Sequence, residues 1–94
     1  MNYLEELAAR IRAEVPEEAL PEEDTRLLFL IYAVLGRAKG AAVSAADVHD
    51  AWVAWMTSRG EQHESMREFA ALERDVQAED SAFVGAIRRA IDDS

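Results

Sequence analysis

Residues 27–35 read Leu-Leu-Phe-Leu-Ile-Tyr-Ala-Val-Leu, a run without a single charge. On a helix such a run covers every side, and a helix that is apolar all round has to be enclosed by other elements. It is far too short to span a bilayer. The chain must therefore supply several partners for one central helix, and its 94 residues have room for one domain, 1–94, with one core. The expectation is an all-α, compact single domain of about four main helices, with the central apolar helix over about 22–38 and a loop-rich segment before the last helix.

Local signals place the other elements. Asn2 and Glu5 have capping-box spacing, and Leu4, Leu7, Ala8, Ile11 and Val15 follow at helical intervals, so a first helix runs from Tyr3 to Glu14 and stops before Pro16. Pro21 suits the first turn of the central helix, with Glu22, Glu23 and Asp24 at its positive end and Arg37, Lys39 and Gly40 at its close. Gly36 allows either close packing or an earlier end. Ser44 and Asp47 form a second box, with Val43 and Val48 as its hydrophobic staple, and start a helix from Ala45 to Ser58 that Gly60 terminates. Its inward face carries Val48, Trp52, Trp55 and Met56, with His49 beside the stripe. By local rules Ser65 and Glu68 cap a short helix from Met66, and Val76, Phe83, Val84, Ile87 and Ile91 form the stripe of the last helix.

Asp80 interrupts that stripe. A carboxylate aimed at a core is costly unless something donates to it, and His49, His63 and Trp52 are the leading candidates, ahead of an arginine or free backbone N–H groups. Paired with either histidine, Asp80 would hold that ring charged.

Charge and composition exclude several functions. A net charge of −9 disfavours nucleic-acid binding, which rests on cationic side chains against phosphate. It favours solubility, or a basic protein partner that the chain meets as an acidic, DNA-mimic type of domain. Without cysteine there is neither a disulfide framework nor a thiolate site, and the N-terminus lacks a basic leader, so a cytoplasmic protein that neither enters nor lies on a membrane is expected. Two histidines without a paired-ligand motif give no metal site, and no serine or threonine sits in a nucleophile elbow, so no catalytic residue and no cofactor are assigned. Gly36 and Gly40 match no phosphate-cradling fingerprint, and any nucleotide site would be built from side chains. The basic residues are nearly all arginine and alanine is abundant, a bias typical of a GC-rich genome such as that of an actinobacterium or its phage.

From about residue 44 to residue 92 the chain resembles the ryanodine-receptor repeat, or RyR domain. Val48-His49-Asp50-Ala51-Trp52 looks like that family's Val-His-x-x-Trp helix, and His63, Met66, Phe69, Leu72, Gln77 and Asp80 follow its later spacing without a gap. The family's Gly-Trp-x-Tyr-Gly segment is replaced by Ser58-Arg59-Gly60-Glu61-Gln62, and its proline before the aromatic by Glu68. A small family of uncharacterised actinobacterial and actinophage proteins resembles the first half as well. The RyR resemblance implies that His49, Trp52, His63 and Asp80 form one structural polar cluster between helices, and that Met66 to Leu72 is largely nonhelical. It further implies a non-enzymatic module of a kind that contacts adenine nucleotides in the channels and is suspected of sensing nucleotide ligands in phage–host conflict.

The functional expectation is thus a non-catalytic recognition module for a nucleotide-like small molecule. His49, Trp52, Arg59, His63 and Arg67 would edge its pocket, the indole stacking and the arginines holding anionic groups. The rival is an acidic protein-interaction domain without a small ligand. Exposed faces of Phe29, Tyr32 or Trp55 would also favour a homodimer.

Overall fold

The computed structural model describes residues 1–93; Ser94, the last residue of the expected domain, lies outside them. Its regular elements are all helical: α1 (Tyr3–Glu14), α2 (Arg26–Lys39), α3 (Ala45–Ser58), a short α4 (Arg74–Ala78) and α5 (Ser81–Asp92), with no strand among the described residues. Both capping boxes form. Asn2 Oδ1 accepts from Glu5 N–H at 3.0 Å while Asn2 N–H donates to Glu5 Oε1 at 3.1 Å, and Ser44 and Asp47 exchange the same bonds at 3.3 and 3.0 Å. Each pair satisfies backbone donors that a helix start otherwise leaves open. Val43 and Val48, the staple, are fully buried.

α2 begins four residues later than its sequence suggests. Asp24 Oδ1 accepts from Arg26 N–H at 3.1 Å, and the carboxylate is bridged to the Arg26 guanidinium at 2.7 Å. An acidic side chain that captures a backbone N–H two residues on offers the chain an alternative to the helix, which therefore starts only at Arg26. At the other end Gly40 adopts φ 56° and ψ −132°, a conformation reserved for glycine.

The inner face of α2 holds Leu28, Phe29, Tyr32, Ala33 and Gly36, and α1, α3 and α5 close around it with Leu7, Ala8 and Ile11, Val48, Ala51 and Trp55, and Ala86, Ile87 and Ala90. Enclosure is not complete, however. Leu27 and Val34, seven residues apart on one face, remain 47% and 54% exposed. By contrast Phe29, Tyr32 and Trp55 are each only 2% exposed, so none of these rings presents a face for self-association. Phe29 and Tyr32 meet edge to face, with centroids 5.4 Å apart.

Two arginines of α5 tie its outer side to neighbouring chain ends. Arg89 donates to the Glu14 carbonyl at 3.0 Å and its carboxylate at 2.8 Å, and Arg88 donates to the Val43 carbonyl at 2.7 Å. Both satisfy carbonyls that secondary structure leaves open.

The last helix is broken. Glu79 and Asp80 form a turn between α4 and α5, which places Asp80 at the N-cap of α5 and not inside a continuous apolar stripe. Asp80 makes no side-chain capping bond there, and the break spares its carboxylate full burial. Before it, residues 59–73 are irregular apart from a 3₁₀ turn at Phe69–Ala71, whose Phe69 carbonyl accepts from Gln77 Nε2 at 2.8 Å. No helix starts at Met66.

Helices α2 and α5 pack closely at Gly36, where an added Cβ would lie 3.1 Å from both Ile87 Cγ2 and Ile91 Cδ1. A leucine there has no room, so Gly36→Leu is expected to cost about 2 kcal/mol or more in chemical denaturation. Val34→Leu, on the exposed face of the same helix, is expected to change stability by less than about 0.5 kcal/mol.

Candidate functional site

Five parts of the fold meet at one cavity of about 430 Å³. α2 contributes Leu28 and Tyr32. α3 contributes His49 and Trp52, which share a face because they lie three residues apart. The turn between α4 and α5 contributes Glu79 and Asp80, flanked by Val76 and Phe83, while His63 and Ser65 of the irregular segment and Ala19 and Pro21 before α2 complete the wall.

The histidines are set by their hydrogen bonds. His49 is only 3% exposed, and its Nε2 lies 2.6 Å from the Arg67 carbonyl. A carbonyl only accepts, so Nε2 carries the hydrogen and Nδ1 of the neutral ring is an acceptor. His63 is the converse: its Nδ1 accepts from Ser65 N–H at 3.0 Å, which leaves Nε2 of the neutral ring as a donor. Trp52 stacks on His49 with centroids 5.7 Å apart and meets His63 edge to face at 5.4 Å.

Asp80 has no ion pair or hydrogen bond to its carboxylate among the described residues. The expected bond to His49, His63 or Trp52 is therefore absent. His49 is committed to a backbone carbonyl and His63 to its own loop, and the helix break carries the acid to the cavity wall. Burial raises Asp80 to about 6, opposed by His49 and reinforced by Glu79. Burial likewise raises the Tyr32 hydroxyl above its usual range, and the negative charge of Asp80 adds to this.

Of the five residues expected to edge a pocket, His49, Trp52 and His63 are brought together, and Asp80 joins them on the same wall. The two arginines are not. Arg59 lies over the Trp55 ring, 4.9 Å from its centroid, and reaches Glu61 at 3.9 Å. Arg67 turns its Nε to the Glu64 carbonyl at 3.1 Å. Neither lines the cavity. Sequence reasoning missed Tyr32 and Phe83, whose apolar settings mark them as core; the one available signal was a hydroxyl inside an otherwise apolar run, since a buried phenol wants a polar neighbour. No three His, Asp or Glu side chains gather as a metal site among the described residues, and no helix there is long and apolar enough to cross a membrane.

A second groove of about 380 Å³ lies between the start of α1 and the start of α2. Its charges are of both signs, and among them Asp24 and Arg26 pair at 2.7 Å.

Comparison with known families corrects the resemblance drawn from short motifs. The matching family model spans residues 2–92 and is described as Domain of unknown function (DUF7701), and no ryanodine-receptor repeat is found. The RyR resemblance started at about residue 44 and left α1 and α2 unaccounted for, whereas this match takes in every helix. No curated protein and no solved structure matches the chain. The chain belongs to the family described as Domain of unknown function (DUF7701).

Proposed function

We propose that the protein is a non-catalytic, cytosolic recognition module that takes a small planar molecule of about nucleobase size in the cavity between α2, α3 and the α4–α5 turn. The observation that carries this reading is the cavity wall, where aromatic Tyr32, Trp52 and Phe83 stand beside the polar groups of His49, His63 and Asp80. A mostly apolar hollow of several hundred Å³ with a few convergent polar groups is the usual form of a small-ligand site. A phosphate-bearing nucleotide fits less well than its base alone, because the arginines expected to hold phosphate point elsewhere.

A binding role is favoured over catalysis by where the hydroxyls lie. Thr57 and Ser58 donate to the carbonyls of Val53 and Trp55, Ser44 accepts from Asp47 N–H, and none of the three lines the cavity; Ser65 does, and there its backbone N–H, not its hydroxyl, meets His63 Nδ1.

One further observation favours the rival, an acidic protein-interaction domain. Leu27 and Val34 form an exposed apolar stripe on a chain of net charge −9, a surface that suits a basic partner with an apolar centre. Capture of one abundant partner by the wild type, lost on Val34→Glu, together with no small-molecule binding, would favour that reading.

The carboxylate in the cavity carries a stability cost, which is common where a group is kept for binding. An acid with a raised folded pKa is protonated in both states below the unfolded value of 3.8 and costs nothing there. As pH rises from 3.8 through about 6 the penalty grows, and above that range it is complete. Asp80→Asn removes it. The variant is expected to gain about 1–2 kcal/mol over wild type at pH 7.5, and this gain should shrink toward pH 4. The figure is discounted from the full conversion of about 1.4 kcal/mol per pH unit because a half-buried carboxylate keeps part of its hydration. Urea denaturation across that window checks the slope; a gain of the same size at pH 4 and pH 7.5 would contradict it.

Titration of labelled protein with a library of planar aromatic fragments tests the binding reading. Shifts are expected to concentrate on the Trp52 indole N–H and the backbone of His49, His63 and Asp80, and Trp52→Ala should weaken every such ligand by at least about tenfold. Fragments that perturb only scattered surface residues would reject the cavity as a site.

A further inference from the structure

We infer that this cavity selects an organic cation, a planar amidinium or protonated heteroaromatic amine, with its charge against Asp80 and its ring beside Trp52 and Phe83. The inference rests on the reading of the cavity as a ligand site and adds to it the sign of the ligand's charge.

Three observations carry it. The wall holds two carboxylates, Asp80 and Glu79, and neither arginine nor lysine. The nearest arginines in sequence are occupied with the Trp55 ring and with the Glu64 carbonyl. An anion would meet these two acids without a compensating cation, on a chain that already carries −9. Secondly, Asp80 has no donor among the described residues, so a neutral ring that displaced its water would leave a carboxylate desolvated and unpaired. An amidinium supplies two parallel N–H donors in the spacing of the two carboxylate oxygens. Thirdly, Trp52 of α3 and Phe83 of α5, both partly exposed, give the wall aromatic surface from two helices. Ring faces are the negative pole of the aromatic quadrupole and attract a delocalised cation.

Benzamidine, benzamide and benzoate have nearly one shape and differ in charge, so they test the inference directly. Each is titrated at pH 7.5 and low salt into labelled wild-type protein, Asp80→Asn and Asp92→Asn; the last makes the same charge change at the exposed far end of α5. The Trp52 indole N–H is followed. Benzamidine is expected to bind at least about tenfold more tightly than benzamide, and benzoate more weakly still. Asp80→Asn should bring benzamidine down to the level of benzamide, and Asp92→Asn should leave it unchanged. Benzamide or benzoate binding as tightly as benzamidine would overturn the charge preference while the cavity stands as a site. A benzamidine preference that survives in Asp80→Asn would overturn Asp80 as the counter-ion. Failure of all three compounds to shift cavity residues would overturn the inference together with the binding reading beneath it.

Discussion

The whole fold depends on burying one side of α2. Leu28, Phe29, Tyr32, Ala33 and Gly36 present that side, and three helices reach it from different directions. Removing a fully buried leucine or isoleucine side chain such as Leu28, Ile11 or Ile87 costs about 2–5 kcal/mol, against a total stability of about 5–15 kcal/mol for a domain. Each contact with α2 is thus a large share of what keeps the protein folded. Gly36 is the clearest sign of this constraint, since α2 and α5 come too close there for a larger side chain to fit without displacing Ile87 and Ile91.

The same packing leaves a hollow on one flank. Helices that converge on α2 cannot all stay in contact along their full lengths, and the break between α4 and α5 turns the chain away just where Asp80 occurs. The hollow is bounded by Tyr32 and Leu28 of α2, by His49 and Trp52 of α3 and by the α4–α5 turn. Residues that stabilise the core on one side, Tyr32 above all, therefore also face the cavity on the other. An acid without a donor at such a place works against stability, and its retention is physically reasonable if something from outside supplies the donors.

The three polar residues of α3 and the loop have distinct tasks. His49 holds the irregular segment down through the Arg67 carbonyl, and this long-range bond, 2.6 Å in length, brings His63 and Ser65 over the cavity mouth. His63 in turn is braced by Ser65 N–H. The segment has little regular structure of its own, so these side chain to backbone bonds do the positioning that a helix would do elsewhere.

Much of the fold was legible in the residues themselves because its causes are local. The Asn2–Glu5 and Ser44–Asp47 boxes, Pro16 and Gly40, and the apolar run at 27–35 each act within a few residues, and α1 and α3 have the bounds that those signals give. The grouping of His49, Trp52, His63 and Asp80 was anticipated first from Asp80 interrupting an apolar stripe and then through a resemblance that the family match does not support, and all four reach one cavity wall. Only the tertiary structure decided which sides of α2 are covered, how Asp80 breaks the last helix, where the two arginines turn, and that Tyr32 and Phe83 join the cavity. The physical reason is one of range: caps and helical periodicity are set by neighbours along the chain, whereas the partner of a side chain is set by which helix packs across from it, which no short stretch of sequence encodes.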